Sequence, residues 1–271
     1  MGFILSCSTI PSRLNTLLKI IPHIKCRYKY FVINLCVKYR RFGDFQLPRE
    51  LIYFCKNNKR VIFNILDDFG PICKYIGGFD FMKKKRLYDD KLIIIDDDTY
   101  YNPNLFYDLI EHKTNNNVTT GSGFAFHGDN DRNYRCVYGE TEMLEGYGGI
   151  CFNYHQCNDF IVWFVGFYKR IHNELKTDID KYLMACFLGD DFIISDSYTD
   201  KWAIDNGRQY LKPQAIGFTE DALHKNNVFG SNMGSYKYLY YNYEILKTFK
   251  RKYALNSEIN NISPKYNEDN R

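Results

Sequence analysis

The chain has 271 residues, with Lys+Arg 36 against Asp+Glu 32 and a formal net charge of +4. A hydrophobic fraction of 45% is enough to build a core, so wholesale disorder is excluded. The near balance of charge excludes a nucleic-acid coat protein, which needs a concentrated basic stripe, and no nucleic-acid partner is expected. Nine cysteines are scattered without a CxxC pair. That pattern fits reduced, mostly buried thiols and not a disulfide framework. The apolar run at the N-terminus and the later one from Phe160 to Tyr168 fall far short of the ~18 residues of a membrane span. The expectation is a cytoplasmic protein with no transmembrane segment.

In chain order, Gly2 to Ser8 reads as a strand, and Pro11 opens a helix through Leu14, Leu17, Leu18 and Ile21. Tyr30 to Val37 is a second strand, and Pro48 opens an amphipathic turn or two. Val61 to Leu66 is a third strand, followed by a helix from Pro71 through Tyr75, Ile76 and Phe79. Leu92 to Ile95 is a fourth, running straight into Asp96-Asp97-Asp98. Apolar strands alternating with helical periods predict an α/β fold with a mainly parallel central sheet flanked by helices. The second half is less regular: a strand over Val118 to Phe126, a glycine loop at Gly146 to Gly149, and helices over His155 to Leu175, Asp178 to Leu188 and Asn232 to Arg251. The expected organisation is one domain over 1–255 with a polar tail over 256–271.

The first β-α turn, Ser8-Thr9-Ile10-Pro11-Ser12-Arg13, contains no glycine, which excludes a Rossmann dinucleotide fingerprint and a P-loop. The strongest feature is Ile93-Ile94-Ile95 followed by Asp96, Asp97 and Asp98. Three carboxylates at the end of a buried strand repel one another unless a cation or a donor-rich ligand compensates them. Mg²⁺ or Mn²⁺ holding a diphosphate is such a compensator, and a solvated acidic turn is the plain alternative. Strand alternation predicts Asp96 and Asp98 on one side and Asp97 on the other. A second pair, Asp190-Asp191, offers either a helix cap or a general base. Lys74, just inside a helix, and Arg13 are candidate phosphate partners, each also readable as an ordinary surface cation.

Taken together, Thr9-Ile10-Pro11-Ser12-Arg13, Asp68-Phe69-Gly70-Pro71-Ile72-Cys73-Lys74, Asp96-Asp97-Asp98, Leu144-Glu145-Gly146-Tyr147-Gly148-Gly149 and Gly189-Asp190-Asp191 resemble the motifs of a GT-A-type glycosyltransferase family of bacteria and large DNA viruses. The resemblance spans 9–191 and implies a single Rossmann-like GT-A domain. It implies a nucleotide-diphosphate-sugar donor, with UDP-sugar favoured, a Mn²⁺ or Mg²⁺ ion, and a glycan, protein or lipid-linked acceptor. By that likeness Asp98 binds the metal, Asp97 faces the ribose, and Asp96 serves the sugar or the metal shell. Thr9 and Arg13 lie beside the nucleotide, Asp68 near the base and Lys74 near the diphosphate. Gly148 and Gly149 line the sugar side. Asp191 is the base of an inverting transfer with Asp190 beside it, and His224 is the candidate C-terminal metal ligand. Phe69, Ile72 and Cys73 depart from the family's usual Tyr, Ala and Thr.

Two competing readings are a carboxylate-cluster phosphohydrolase or nuclease, and a non-catalytic sugar-binding module on the same fold. The module is favoured if Asp191 proves remote from Asp98. The Tyr-rich basic segment from Tyr236 to Tyr253 reads as a helix packed on the core, with peripheral membrane contact as its alternative.

Overall fold

The computed structural model describes residues 2–36, 38–39, 43–44, 46–126, 134–136, 138–158, 190–204 and 214–215. The expected helices over His155 to Leu175, Asp178 to Leu188 and Asn232 to Arg251, together with His224 and the 256–271 tail, lie wholly or almost wholly outside these residues. His155 itself sits in a 3-10 turn at Tyr154–Gln156.

The first half follows the alternation of its sequence. Strand β1 (Phe3–Ser8), a 3-10 turn (Pro11–Arg13) and helix α1 (Leu14–Ile20) lead to β2 (Tyr30–Cys36). An antiparallel pair, β3 (Lys38–Tyr39) and β4 (Gly43–Asp44), precedes α2 (Arg49–Asn57) and β5 (Val61–Leu66). Helix α3 (Cys73–Lys85) leads to β6 (Lys91–Ile94), and β7 (Thr99–Tyr100) and α4 (Pro103–Glu111) follow the carboxylates. Then come β8 (Val118–Thr120), β9 (Gly123–Phe126), β10 (Tyr134–Cys136), β11 (Gly139–Glu140), β12 (Met143–Leu144) and β13 (Ile150–Asn153). Helix α5 (Asp190–Ser197), β14 (Lys201–Ala203) and β15 (Gln214–Ala215) complete the described elements.

Eight strands form the central sheet in the order β11-β14-β8-β13-β6-β1-β2-β5. The β6-β1-β2-β5 portion is wholly parallel. Strand β13 enters antiparallel between β6 and β8, and β14 pairs parallel with β8. The α/β architecture expected from the sequence is therefore the one the chain adopts. The strand expected over Val118 to Phe126 is in fact two. After β8 the chain turns at Gly121-Ser122, where the Thr120 hydroxyl donates to Ser122 O at 2.8 Å. Strand β9 then leaves the main sheet to pair with β10 and β12.

Side-chain alternation splits the core into two layers. Ile4, Val32, Leu92, Ile94, Ile150 and Phe152 meet Tyr75, Phe79 and Met82 of α3 and Ile193 and Ile194 of α5. On the other face Phe3, Leu5, Phe31, Ile33, Ile93 and Cys151 meet Leu17 and Ile20 of α1, Leu51 of α2 and Phe106 and Leu109 of α4. Helix α3 lies close on its face because Gly77 and Gly78 offer no Cβ. One at Gly77 would stand 1.8 Å from Asn34 Oδ1. Asn34 cannot move easily, since its amide donates to Ser6 Oγ and Cys7 O, both at 2.8 Å, and its carbonyl accepts from Asn64. Gly77→Ala is therefore expected to lower stability by about 1–3 kcal/mol, as a fall in the urea midpoint at unchanged m-value. An unchanged midpoint would mean that α3 is not seated on Asn34.

Cys7, Cys36, Cys73 and Cys151 are buried, and these four form no disulfide with Cys26, Cys55 or Cys157 or with one another. Burial pushes the Cys151 thiol up to about 12, so it is inert at neutral pH.

Candidate active site

Ligands of open parallel sheets bind beyond the carboxyl ends of the strands, and here those ends carry the charged groups singled out from the sequence. β1 runs into Thr9 to Arg13, β5 into Asp67-Asp68, and β6 into Asp96 to Asp98.

Arg13 closes the 3-10 turn after β1 and reaches the turn after β6. Its Nη1 stands 3.1 Å from Asp97 Oδ1, and its Nη2 donates to Asp98 Oδ2. Asp97 and Asp98 thus share one guanidinium while Asp96 turns away, which corrects the expected alternation. The physical reason is that β6 ends at Ile94, so Asp97 and Asp98 lie in a turn where the period of two no longer holds. Burial pushes the Asp97 carboxyl up, and Arg13 and the Thr9 hydroxyl oppose the shift. Asp97 Oδ2 is enclosed without an aligned hydrogen bond among the described residues.

Lys74 sits in the first turn of α3 and is 3% exposed, so it is no surface cation. Its Nζ donates to Asp96 Oδ1 at 2.6 Å and lies 2.8 Å from Asp190 Oδ2. Burial alone would lower its pKa, but Asp190, Asp96 and Asp191 together outweigh that and hold it well above the ordinary lysine value. The Lys74 carbonyl accepts from Ser6 Oγ at 2.6 Å, which ties this turn of α3 to β1.

Asp190 and Asp191 open α5, where the helix dipole favours carboxylates. Asp190 is buried against Lys74, and the half-buried Asp191 accepts at Oδ1 from the Gly146 backbone N at 2.9 Å. A Cβ at Gly146 would stand 2.8 Å from both Asp191 Oδ1 and Lys74 Nζ, so only glycine admits this contact. Burial, reinforced by Asp190, holds the Asp191 carboxyl well above the usual range. Lys74 opposes that shift, and Asp96 and Glu145 add to it. Gly148 would place a Cβ 2.5 Å from Ser122 N, and Gly149 has φ +75, a conformation that side chains rarely adopt.

Lys74 therefore brings Asp96, Asp190 and Asp191 together, and the turn that carries Asp96 also carries the Arg13-bound pair. Asp68 stands apart from these ion pairs. Its carboxylate accepts from Gly70 N at 2.9 Å and shapes the entry to α3. His224 lies outside the described residues.

Sequence reasoning gave no role to Glu145, Ser122 or Tyr101. The buried Glu145 accepts from Ser122 Oγ at 2.5 Å, and Ser122 Oγ also meets the Tyr147 hydroxyl at 2.8 Å. Tyr101 fixes the acidic turn by accepting from Asp96 N at 2.9 Å. Only Glu145, set between the core residue Leu144 and a glycine run, carried a local signal.

All the acidic donors here are carboxylate oxygens, the kind a hard divalent ion takes. Among the described residues no three His, Cys, Asp or Glu side chains converge as a metal cage. The two expected ligands face different cations, Asp98 toward Arg13 and Asp96 toward Lys74.

No family model matches this chain, and no curated protein does. Solved structures of similar fold include the glycosyltransferase GlyE of Streptococcus pneumoniae TIGR4, at 12% identity and a TM-score of 0.39, over 76% of this chain and 46% of GlyE. A 4-diphosphocytidyl-2C-methyl-D-erythritol synthase matches at 8% identity and TM-score 0.39, over 77% of this chain and 89% of its own. An inositol-1-phosphate CTP transferase from T. maritima matches at 10% identity and TM-score 0.37, over 81% and 91%. This chain spans about half the length of GlyE. These likenesses concern the fold alone.

Proposed function

We propose that the protein is a glycosyltransferase that moves a sugar from a nucleotide-diphosphate sugar, UDP-sugar favoured, to a hydroxyl acceptor with inversion. The observation that carries this reading is the convergence on Lys74 of Asp96 from the acidic turn and Asp190-Asp191 from α5, beside the Arg13 pair.

In this reading Arg13 and Thr9 receive the nucleotide, and Asp97 takes a ribose hydroxyl once Arg13 turns from it toward the diphosphate. Asp98 and Asp96 would hold Mn²⁺ or Mg²⁺, which when bound supplies Lewis-acid stabilisation of the leaving diphosphate. Asp191 takes the proton of the acceptor hydroxyl as its oxygen attacks the anomeric carbon from the face opposite the diphosphate. Gly146 N orients that carboxylate through Oδ1 and leaves Oδ2 for the acceptor. Lys74 holds Asp190 and Asp96 in place through its two ion pairs. Gly148 and Gly149 let the backbone approach the sugar, and the acceptor is a glycan, a protein or a lipid-linked chain.

The test is calorimetry with UDP-, GDP- and dTDP-sugars, each with and without Mn²⁺, on the wild type and on Asp98→Ala. The expected result is metal-dependent binding of one nucleotide class, weakened at least about tenfold by the substitution. Absence of binding by all of them with metal present would sink the proposal.

A further inference from the structure

A second concentration of charge lies at the edge of the sheet opposite the carboxylates. The turns that enter β2 and β5 carry Lys25, Arg27, Lys29, Lys59 and Arg60. The parallel strands β1, β2 and β5 have six, seven and six residues. At ~3.3 Å per residue they set these turns roughly 20 Å from Asp96 and its neighbours. A cavity of about 570 Å³ opens between the turns, lined by Gly2, Arg27, Tyr28, Lys29 and Arg60.

The carboxylate beside this cavity is already committed. Asp90 accepts from Gly2 N at 3.0 Å and from Lys29 Nζ at 2.8 Å. Arg27 and Arg60 have no ion-pair partner among the described residues. Two guanidiniums facing one cavity repel each other until an anion enters, and their planar forks match phosphate oxygens in bidentate fashion. Tyr28 adds a phenol to the same lining. Burial raises its pKa despite the nearby Arg60, so at neutral pH it remains a protonated donor.

We propose that this cavity binds a phosphate-bearing anion through Arg27, Arg60 and Tyr28, at a site separate from the carboxylate cluster. A soluble phosphorylated compound and a phospholipid headgroup present the same group, and the site reads that group. The proposal does not depend on the reading of the opposite edge. Without metal, the acidic turn and α5 repel a diphosphate, so the two sites can be measured apart.

The test uses the full chain in chelator-containing, low-salt buffer. Inorganic pyrophosphate is titrated by calorimetry, and co-sedimentation is run with phosphatidylcholine vesicles with and without phosphatidic acid. Each is repeated on Arg27→Ala/Arg60→Ala and on Arg27→Gln/Arg60→Gln. Both arginines are exposed, so melting temperatures should stay at the wild-type value. The expected result is binding of at least one probe, weakened about tenfold or more in both variants. Pyrophosphate alone would identify a soluble ligand, phosphatidic acid alone a membrane headgroup, and both the shared phosphate. Binding of neither probe by the wild type, or equal binding by the variants, would overturn the proposal.

Discussion

Replacing Lys74 by methionine should destabilise the protein by about 3–5 kcal/mol, because it leaves buried carboxylates without their counter-charge. A domain of this kind has roughly 5–15 kcal/mol in total, so the variant should be close to unfolding at room temperature. Methionine keeps the length of the side chain, which separates loss of charge from loss of packing. The deficit should depend on pH in a definite direction. Burial and like charges raise the Asp190 and Asp191 carboxyls above their unfolded values, so the folded state binds more protons. Stability from this source is present at low pH and is lost as pH rises through the folded values. Without Lys74 those values rise further, so the gap in melting temperature between Lys74→Met and wild type should be wider at pH 7 than at pH 4. Adding Asp190→Asn should restore part of the loss, since Asp190 Oδ2 lies 2.8 Å from the missing ammonium. A pH-independent gap with no rescue would show that Lys74 acts through packing alone.

Asp191→Asn should lower turnover by about 10²–10⁴-fold while leaving the fold intact. The asparagine Oδ1 can still accept from Gly146 N, so the geometry in which the loop meets α5 is retained. Only the ability to take a proton is lost. Because the Asp191 carboxyl is raised, the wild-type rate should climb with pH through a value above the usual carboxylate range, and the residual rate of the variant should lack that limb. The same substitution removes a charge that the folded state disfavours. Its melting temperature at neutral pH should therefore equal or exceed that of the wild type. Turnover within tenfold of wild type would remove Asp191 from the role of base.

Much of the parallel half was legible because its strands are continuous apolar runs and its helices open at proline. Val61 to Leu66 forms a strand with the expected bounds, and Pro71 does begin the entry to α3. The acidic turn could be located from sequence, but its partners could not. Lys74 looked like one surface cation among many, and only the approach of α3 to β1 and α5 buries it. The direction of Asp97 differs because the strand stops at Ile94, whereas the period of two assumes extended backbone through Asp98. Glu145 and Ser122 meet across 23 positions, a contact that no local pattern announces. The strand over Val118 to Phe126 failed for a related reason, since the turn at Gly121-Ser122 depends on Gly149, whose carbonyl accepts from Gly121 N at 3.1 Å.

The entry of β13 between β6 and β8 also fixes an order of events in time. By residue 94 the growing chain holds all four strands of the parallel portion, and Lys74 and Arg13 have been made. Asp190 and Asp191 emerge only about a hundred residues later, after the antiparallel strand has passed through the middle of the sheet. Until then Lys74 has Asp96 alone as a partner. The ion-pair cluster is thus completed by one of the last described parts of the chain to be synthesised, and a truncated or stalled product can own a formed parallel sheet and still lack the site.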